Sequence, residues 1–206
     1  MPAKEKVKCK EKEMKILVAC EESQRVCIAF REKGHEAYSC DILPCSGGHP
    51  EWHIQDDVLK HLDEGWDLII AHPPCTYLSN AGAGRLYPKG VLNKERYKKG
   101  LEAKEFFMKL YNAPCSKICV ENPISSKIFE MPPYTQQIEP FQFGHPFQKK
   151  TRLWLKGLPP LKPTNIVEKR ESTVTAAWYN KGGKDRQKNR SKTFEGIAKA
   201  MAEQWG

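Results

Sequence analysis

The sequence has no apolar run approaching the roughly 20 residues that span a bilayer. It also has no apolar core of a signal peptide near its start, where residues 1–14 are mostly Lys and Glu. These absences argue against the membrane-spanning and secreted classes. We therefore expect a cytoplasmic protein whose first fourteen residues form a charged tail.

No two of the eight cysteines form a CxxC pair, so the strongest sequence signature of a structural zinc site is missing. Cys45, His49 and His53 recur at a spacing of four, with Cys40 just before them. That spacing brings ligands together only on a helix, whereas the prolines and glycines of residues 44–50 predict a loop. We therefore expect free thiols and no bound metal.

The length of 206 residues is that of one domain of ordinary size, and we expect residues 15–206 to form a single catalytic domain. Apolar runs alternate with helical patterns, which predicts an α/β, Rossmann-like, doubly wound fold with a mostly parallel sheet. The predicted strands are residues 14–20, 37–40, 53–55, 68–71, 118–120, 138–143 and 152–155, the last two antiparallel. The predicted helices are residues 23–33, 58–62, 94–111 and 191–205, and Asn93 is expected to cap the third.

The net charge of +9 is concentrated in one segment. Residues 149–192 hold thirteen Lys and Arg against three acidic residues, a balance of +10, and residues 157–190 read as a basic loop. A one-sided basic segment that includes Trp178 and Tyr179 suits phosphate contact with base stacking, so DNA is a candidate partner. A solvated basic loop explains the same composition, and both interpretations stay open.

Two reactive side chains follow two of the apolar runs. Cys75 lies four residues beyond the run 68–71, and Glu121 comes directly after the run 118–120. Ligands of an α/β sheet gather outside the carboxyl ends of its strands, so this thiol and this carboxylic acid are expected to share one pocket. A nucleophile with a nearby acid indicates covalent catalysis on an electron-poor ring.

The chemistry that suits these groups is addition to a pyrimidine. Attack of the Cys75 thiolate on carbon 6 makes carbon 5 nucleophilic enough to accept an alkyl group. A proton donor is then needed at ring nitrogen 3, and Glu121 is the candidate. Lys150 and Arg152 are expected to point to the same side of a strand and to stabilise a carbonyl oxygen or a phosphate. A packed thiol in a turn and an ordinary loop glutamate are the alternative interpretation.

These residues resemble the motifs of the cytosine-5 DNA methyltransferases. Pro73-Pro74-Cys75 followed by Ser79 is similar to that family's nucleophile motif, and Val120-Glu121-Asn122 is similar to its glutamate motif. Gln148-Lys149-Lys150-Thr151-Arg152 is similar to its Gln-x-Arg-x-Arg motif, with lysine in place of the first arginine. The resemblance implies that Cys75 is the nucleophile and Glu121 the base-binding acid. It also implies substrate contacts for Ser79, Asn122 and Gln148.

The same resemblance implies S-adenosyl-methionine as the cofactor. Asp41 lies where the family's acidic residue meets the cofactor ribose, and Asp57 begins a pair similar to the Asp-Ile that contacts adenine. Residues 191–202 resemble the last motif, in which a helix returns to the cofactor. The full set of expected cofactor-binding residues is Glu21, Glu22, Ser23, Asp41, Asp57 and Pro73.

The sequence departs from the family in two places. The turn after the first strand, residues 20–24, contains no glycine, which keeps the backbone farther from a ligand. Only residues 153–190 separate the last two motifs, where the family carries a much longer target-recognition region. Little surface is left for duplex readout or for offsetting the cost of base flipping. The substrate is therefore single-stranded DNA, duplex with little sequence preference, DNA presented by a partner protein, or a free cytosine nucleotide.

Three other functions remain open at the level of sequence. Amino-group DNA methyltransferases place Pro-Pro and then an aromatic residue at this strand end; here Cys75 takes the aromatic position and Tyr77 follows two residues later. A pyrimidine nucleotide-modifying enzyme could use the same thiol addition. A nucleic-acid binding module on a degenerate methyltransferase fold would explain the missing glycines and the short basic loop.

Overall fold

The computed structural model describes residues 12–168, 171–172 and 191–206. Its main feature is one seven-stranded sheet with the strand order β3-β2-β1-β4-β5-β8-β6. These strands are β1 (Lys15–Ala19), β2 (Glu36–Cys40), β3 (His53–Ile54), β4 (Leu68–Ala71), β5 (Ile118–Pro123), β6 (Gln136–Ile138) and β8 (Thr151–Lys156). A second, two-stranded sheet pairs β7 (Phe147–Gln148) with β9 (Glu171–Ser172).

The first five strands of the sheet are mutually parallel, and the last two pairings are antiparallel. Strand β8 lies between β5 and β6. This order, with its inserted antiparallel strand, is the arrangement of the Rossmann-like S-adenosyl-methionine-dependent methyltransferase fold, so the predicted fold class is confirmed. The predicted antiparallel finish is confirmed as well.

Helices cover both faces of the sheet. They are α1 (Arg25–Glu32), α2 (Ala83–Leu86), α3 (Lys94–Tyr111) and α4 (Glu195–Trp205). One core, on the face with α1 and α4, contains alternate strand residues such as Ile16, Val18 and Cys119. The other core lies on the face with α3 and contains Leu17 and Val120. The alternation decides which face of the sheet each residue beyond a strand end can reach.

Several predicted elements have other bounds in the structure: β1 and α1 are shorter than predicted, whereas β5 and β8 are longer. The predicted helix 58–62 is wrong, since only the 3-10 turn Val58–Lys60 forms there. Asn93 caps α3 as expected, because its side chain accepts a hydrogen bond from the backbone N–H of Arg96. The predicted strand 138–143 is wrong beyond Ile138, since Pro140–Gln142 forms a 3-10 turn. A proline has no N–H to donate to a strand ladder, which accounts for the break.

The predicted basic loop falls mostly outside the described residues, which hold only 157–168 and 171–172 of it. Trp178 and Tyr179 are among the residues that are not described. Within the described part of the chain, no helix has both the length and the apolar character needed to cross a membrane.

Candidate active site

Cys75 and Glu121 lie at the same edge of the sheet, on neighbouring segments of the chain. Strands β4 and β5 are parallel partners, with Ala71 opposite Val120 in the register. Glu121 is the next residue of β5, while Cys75 lies four residues past the end of β4 and is exposed. The carboxyl edge of the sheet therefore carries both groups, as the strand-end rule predicts.

The loop that carries Cys75 is bonded directly to the chain that follows Glu121. The two segments form an isolated antiparallel bridge between Ser79 and Ser125. Two backbone hydrogen bonds of 2.8 Å, Asn80 N–H to Ile124 O and Ser126 N–H to Leu78 O, complete the connection. We call the residues joined in this way, 78–80 and 124–126, the paired loops.

Glu121 has a histidine partner. Its Oε2 lies 2.8 Å from Nδ1 of His72, and the two side chains are only 16% and 10% exposed. Burial raises the pKa of Glu121, but the hydrogen bond and charge of His72, together with the charge of Lys149, bring that pKa below its ordinary value. The carboxyl group is thus largely covered by protein and pairs with the ring of His72.

Lys150 and Arg152 do not approach Glu121 as a pair. Lys150 is exposed and precedes β8 instead of lying on it. Arg152 pairs with Asn122 across the sheet, on the face of α3, and its guanidinium carbon lies 4.3 Å from the ring centre of Tyr134. Glu121 is on the opposite face, where it shares a small cavity with Lys149 and with residues of α4.

The three expected substrate-binding residues occupy different environments. Asn122 is 1% exposed, and neither atom of its amide has a hydrogen-bond partner among the described residues. A buried amide without partners costs about 1–3 kcal/mol, so Asn122 marks a place where a loop shift or a ligand would supply them. Ser79 accepts a hydrogen bond from the Ala81 N–H in the paired loops, and Gln148 is half-buried in β7.

The turn after β1 is closed by protein. Glu21, Glu22 and Ser23 are each less than a tenth exposed. The Glu21 carboxylate accepts hydrogen bonds from the Val26 and Cys27 N–H groups in the first turn of α1. Burial raises the pKa of Glu21 above its ordinary value. The side chain therefore completes the start of a helix, where unpaired N–H groups need acceptors.

A loop from the end of β2 packs onto this turn. The Gln24 side chain donates to the carbonyl of His49 at 2.7 Å and accepts from its N–H at 3.1 Å. Ser46 bonds to Glu22 through both its backbone and its hydroxyl group. A Cβ on Gly47 would lie 2.5 Å from Cβ of Gln24, so only glycine permits this approach. Two backbone segments therefore come close together at the turn after β1. The glycine that permits this approach, Gly47, lies in the loop after β2 and not in the turn itself.

The acidic residues expected near the cofactor lie at the adjacent strand ends. Asp41 follows β2 and accepts a hydrogen bond from the Leu43 N–H, and burial raises its pKa. Asp57 caps the 3-10 turn Val58–Lys60 by accepting from the Leu59 N–H. Ile42, next to Asp41, is 72% exposed, which is unusual for its size. Pro73 is buried directly after His72.

The residues considered for zinc have other partners. The two ring nitrogens of His53 lie 2.8 Å from the Ser39 hydroxyl and 2.9 Å from the Leu43 carbonyl. His49 bonds to Glu51 through Nδ1. Within the described residues, no three His, Cys, Asp or Glu side chains are grouped so that they could hold a metal ion.

No family model matches the chain, and no curated protein shows significant similarity to it. Among solved structures, 56 chains match. One is an E. coli protein named for DNA modification methyltransferase activity and encoded within a prophage, with 13% identity and a TM-score of 0.44 over 76% of this chain and 52% of that one. EhMeth, a methyltransferase of Entamoeba histolytica, has 14% identity and a TM-score of 0.45 over 84% of this chain and 61% of that one.

The Dnmt2 methyltransferase of S. pombe is similar to the chain with 14% identity and a TM-score of 0.40, over 84% of this chain and 56% of that one. The chain thus spans between about half and three fifths of the length of these structures. At TM-scores below 0.5, the likenesses carry no conclusion about activity. A conclusion about activity therefore has to rest on the geometry of the site.

Sequence reasoning did not assign two of the residues that shape this site. Lys149 is a cation whose charge acts on Glu121, whereas the sequence analysis assigned a site role only to its neighbour Lys150. Counting by twos back from Leu153, which faces the α4 core, would have placed residue 149 on the Glu121 side of the sheet. Gly47 carries only a loop signal in the sequence, because its neighbour Gln24 is distant along the chain.

Proposed function

We propose that this protein transfers a methyl or related group from S-adenosyl-methionine to carbon 5 of cytosine in DNA through a covalent adduct with Cys75. The observation that carries the proposal is the adjacency of the Cys75 loop and the Glu121 segment, which are joined by the paired loops at the carboxyl edge of the sheet. In this proposal the exposed thiol of Cys75 and the largely covered carboxyl group of Glu121 act on one ring.

Each residue has a separate chemical task in this proposal. The Cys75 thiolate adds to carbon 6 of the ring, and the electron pair displaced from the double bond makes carbon 5 nucleophilic. Glu121 delivers a proton to nitrogen 3, which limits the negative charge on the ring. Lys149 supports the Glu121 carboxyl group by its charge. After carbon 5 has accepted the methyl group, solvent water takes the carbon 5 proton, the thiolate leaves carbon 6, and nitrogen 3 returns its proton, which restores the aromatic ring.

The residues at the ends of β2 and β3 fit the cofactor. Asp41 and Asp57 offer carboxylate oxygens to ribose hydroxyls and an adenine amino group, and the exposed side chain of Ile42 offers an apolar cover for a flat ring. S-adenosyl-methionine, when bound, supplies the methyl group that carbon 5 accepts. In the turn after β1, the Glu21 carboxyl group accepts a hydrogen bond from α1 and the Glu22 carboxyl group accepts one from Ser46. These two residues therefore shape the site.

A basic rim beside Cys75 supports DNA as the substrate. We define it as the six basic residues of segment 76–99, a segment that holds a single acidic residue: Arg85, Lys89, Lys94, Arg96, Lys98 and Lys99. Arg96 and Lys99 place their charges 5.0 and 5.9 Å from the ring centre of Tyr77, two residues from the thiol. Cations next to the nucleophile suit contact with the phosphates that flank a target base.

The test is mass spectrometry of nucleosides from DNA incubated with the protein and S-adenosyl-methionine. We expect a mass increase on cytosine that Cys75→Ser abolishes. Cys115→Ser is the matched control, because Cys115 is a buried thiol bonded to the Trp66 and Lys117 carbonyls. Modification that persists in Cys75→Ser would exclude the covalent mechanism and favour an amino-group methyltransferase. Product from free nucleotide but not from DNA would identify a nucleotide-modifying enzyme.

The closed turn after β1 favours one competing function, a nucleic-acid binding module that does not use the cofactor. Glu21, Glu22, Ser23 and Gln24 are all buried and leave no open surface at the turn. Titration calorimetry with S-adenosyl-methionine separates the two functions. Salt-sensitive DNA binding without any heat from the cofactor would favour the module.

A further inference from the structure

His72 occupies the position between two carboxyl groups at the edge of the sheet. It follows the last residue of β4, which is flanked by β1 on one side and β5 on the other. Its backbone N–H donates to the carbonyl of Ala19, the last residue of β1. Its ring lies against Glu121 of β5 on the other side. The backbone of His72 is therefore held by β1, and its ring is held by Glu121 of β5.

The charged and titratable groups that act on the ring come from three elements. They are Glu121 within β5, Glu21 in the turn after β1, and Lys149 before β8. Burial disfavours a charged ring, but the hydrogen bond to Glu121 and the charges of both carboxyl groups outweigh burial and Lys149, so the pKa of His72 is raised. The pair of His72 and Glu121 therefore holds its proton more tightly than an isolated histidine does.

We propose that His72 is the positioning residue of Glu121: its Nδ1 holds Oε2, leaves Oε1 for the substrate, and keeps on the pair the proton that the reaction needs. The inference rests on the proposed function and adds to it the source of that proton. Glu121 alone has an ordinary pKa of 4.5, too low to hold a proton at neutral pH without help, whereas a histidine has one of 6.5.

Protons balance over the whole cycle. When the thiolate adds to carbon 6, nitrogen 3 takes one proton from the pair, and the net charge of the pair falls by one. When carbon 5 has lost its proton to solvent water and the thiolate leaves carbon 6, nitrogen 3 returns its proton and the pair is restored. The remaining nitrogen of His72, Nε2, is buried and has no hydrogen-bond partner among the described residues, so it is not held by a competing acceptor.

Two substitutions separate orientation from proton holding. His72→Gln keeps a donor for Oε2 but cannot titrate, and His72→Leu removes both properties. For His72→Gln we expect near wild-type kcat at acidic pH and an alkaline limb of the pH profile that moves to lower pH. For His72→Leu we expect kcat to fall roughly 10²-fold at every pH with little change in KM. An alkaline limb that stays at the wild-type position in His72→Gln would overturn the proposal.

A second measurement does not depend on turnover. In NMR titrations of the histidine Cε1–H groups, the titration midpoint of His72 should lie above 6.5. It should fall in Glu121→Gln, a variant that removes the negative charge of the partner. His61, which has an exposed carboxylate partner in Glu64 at 2.6 Å, is the internal control and should not respond. A His72 midpoint indifferent to Glu121→Gln would refute the pairing. Wild-type protein without product, but with the expected midpoints, would refute the proposed function alone.

Discussion

Nη2 of Arg96 donates a hydrogen bond of 2.6 Å to the carbonyl oxygen of Thr76, the residue after Cys75. The guanidinium also lies over the ring of Tyr77 and under Gly82, where an added Cβ would come within 2.7 Å of Nη2. One residue of α3 thus fixes the loop of the proposed nucleophile from both sides.

We expect Arg96→Ala to free this loop and to lower kcat about 10-fold, because small displacements of a nucleophile are costly for reaction rates. Arg96→Lys should recover only part of the activity, since an ammonium group reaches one acceptor and stacks poorly. Lys109→Ala, at the far end of α3, is the control. Unfolding curves should show similar stability for all three variants, and equal kcat values would contradict the role of Arg96.

The basic rim predicts how DNA affinity depends on salt. In Lys94→Gln/Lys98→Gln, the slope of log K against log salt concentration should become shallower by about two, because two phosphate contacts are lost. The matched control is Lys33→Gln/Lys109→Gln, which removes two lysines that pair with Glu203 and Glu105 elsewhere on the surface. Equal slopes in the two double variants would remove the rim from the interface.

The proposed role of Asp41 in holding the cofactor can be tested by measuring the affinity for S-adenosyl-methionine. We expect Asp41→Ala to weaken S-adenosyl-methionine binding about 10- to 100-fold in titration calorimetry, which corresponds to the loss of a hydrogen bond to a charged acceptor. Asp63→Ala, an exposed acidic residue in the segment before β4, should bind like the wild type. If both variants bind equally well, the cofactor is not held at the end of β2.

The close packing around Gly47 predicts that its replacement by alanine destabilises the protein. The added methyl group of Gly47→Ala meets Gln24 and the carbonyl of Ser23, so we expect a loss of about 1–3 kcal/mol in the free energy of unfolding. At Gly84 in α2 an added methyl group would have no other atom within 4 Å, and Gly84→Ala should be neutral or stabilising by up to about 1 kcal/mol. Urea denaturation measures both, and a neutral Gly47→Ala would show that the loop yields easily.

The His72–Glu121 pair predicts how stability changes with pH. The folded protein holds the proton of His72 more tightly than the unfolded chain, so this stabilisation is complete below 6.5 and disappears as the pH rises through the raised pKa. The pKa of Glu121 is lowered on folding, so its contribution is present above 4.5 and is lost as the pH falls through the lowered value. Between about pH 6 and 9, the wild type should therefore lose more unfolding free energy than His72→Gln does. Parallel curves in urea denaturation would argue against the pair.

Local patterns in the sequence were sufficient for most of the fold. The apolar runs that became β1, β4 and β5 are buried on both faces, and the Asn93 cap depends only on its neighbours in the chain. Cys75 and Glu121 could be assigned to one edge because parallel strands place their carboxyl ends together. These inferences need no knowledge of which residues face each other.

The inferences that failed required that knowledge. Which face Arg152 would take depends on its pairing with Asn122, and a shift of one residue reverses every side chain of a strand. The approach of Gly47 to Gln24 and the bond between His72 and Glu121 join residues 23 and 49 positions apart in the sequence. No periodicity in one segment reports such contacts.

The paired loops also bear on the mechanics of substrate entry. Backbone hydrogen bonds join residues 78–80 to residues 124–126, so a displacement of either segment is coupled to the other. In the proposed function, the loop that carries Cys75 and the segment that follows Glu121 therefore move as one unit when a ring enters.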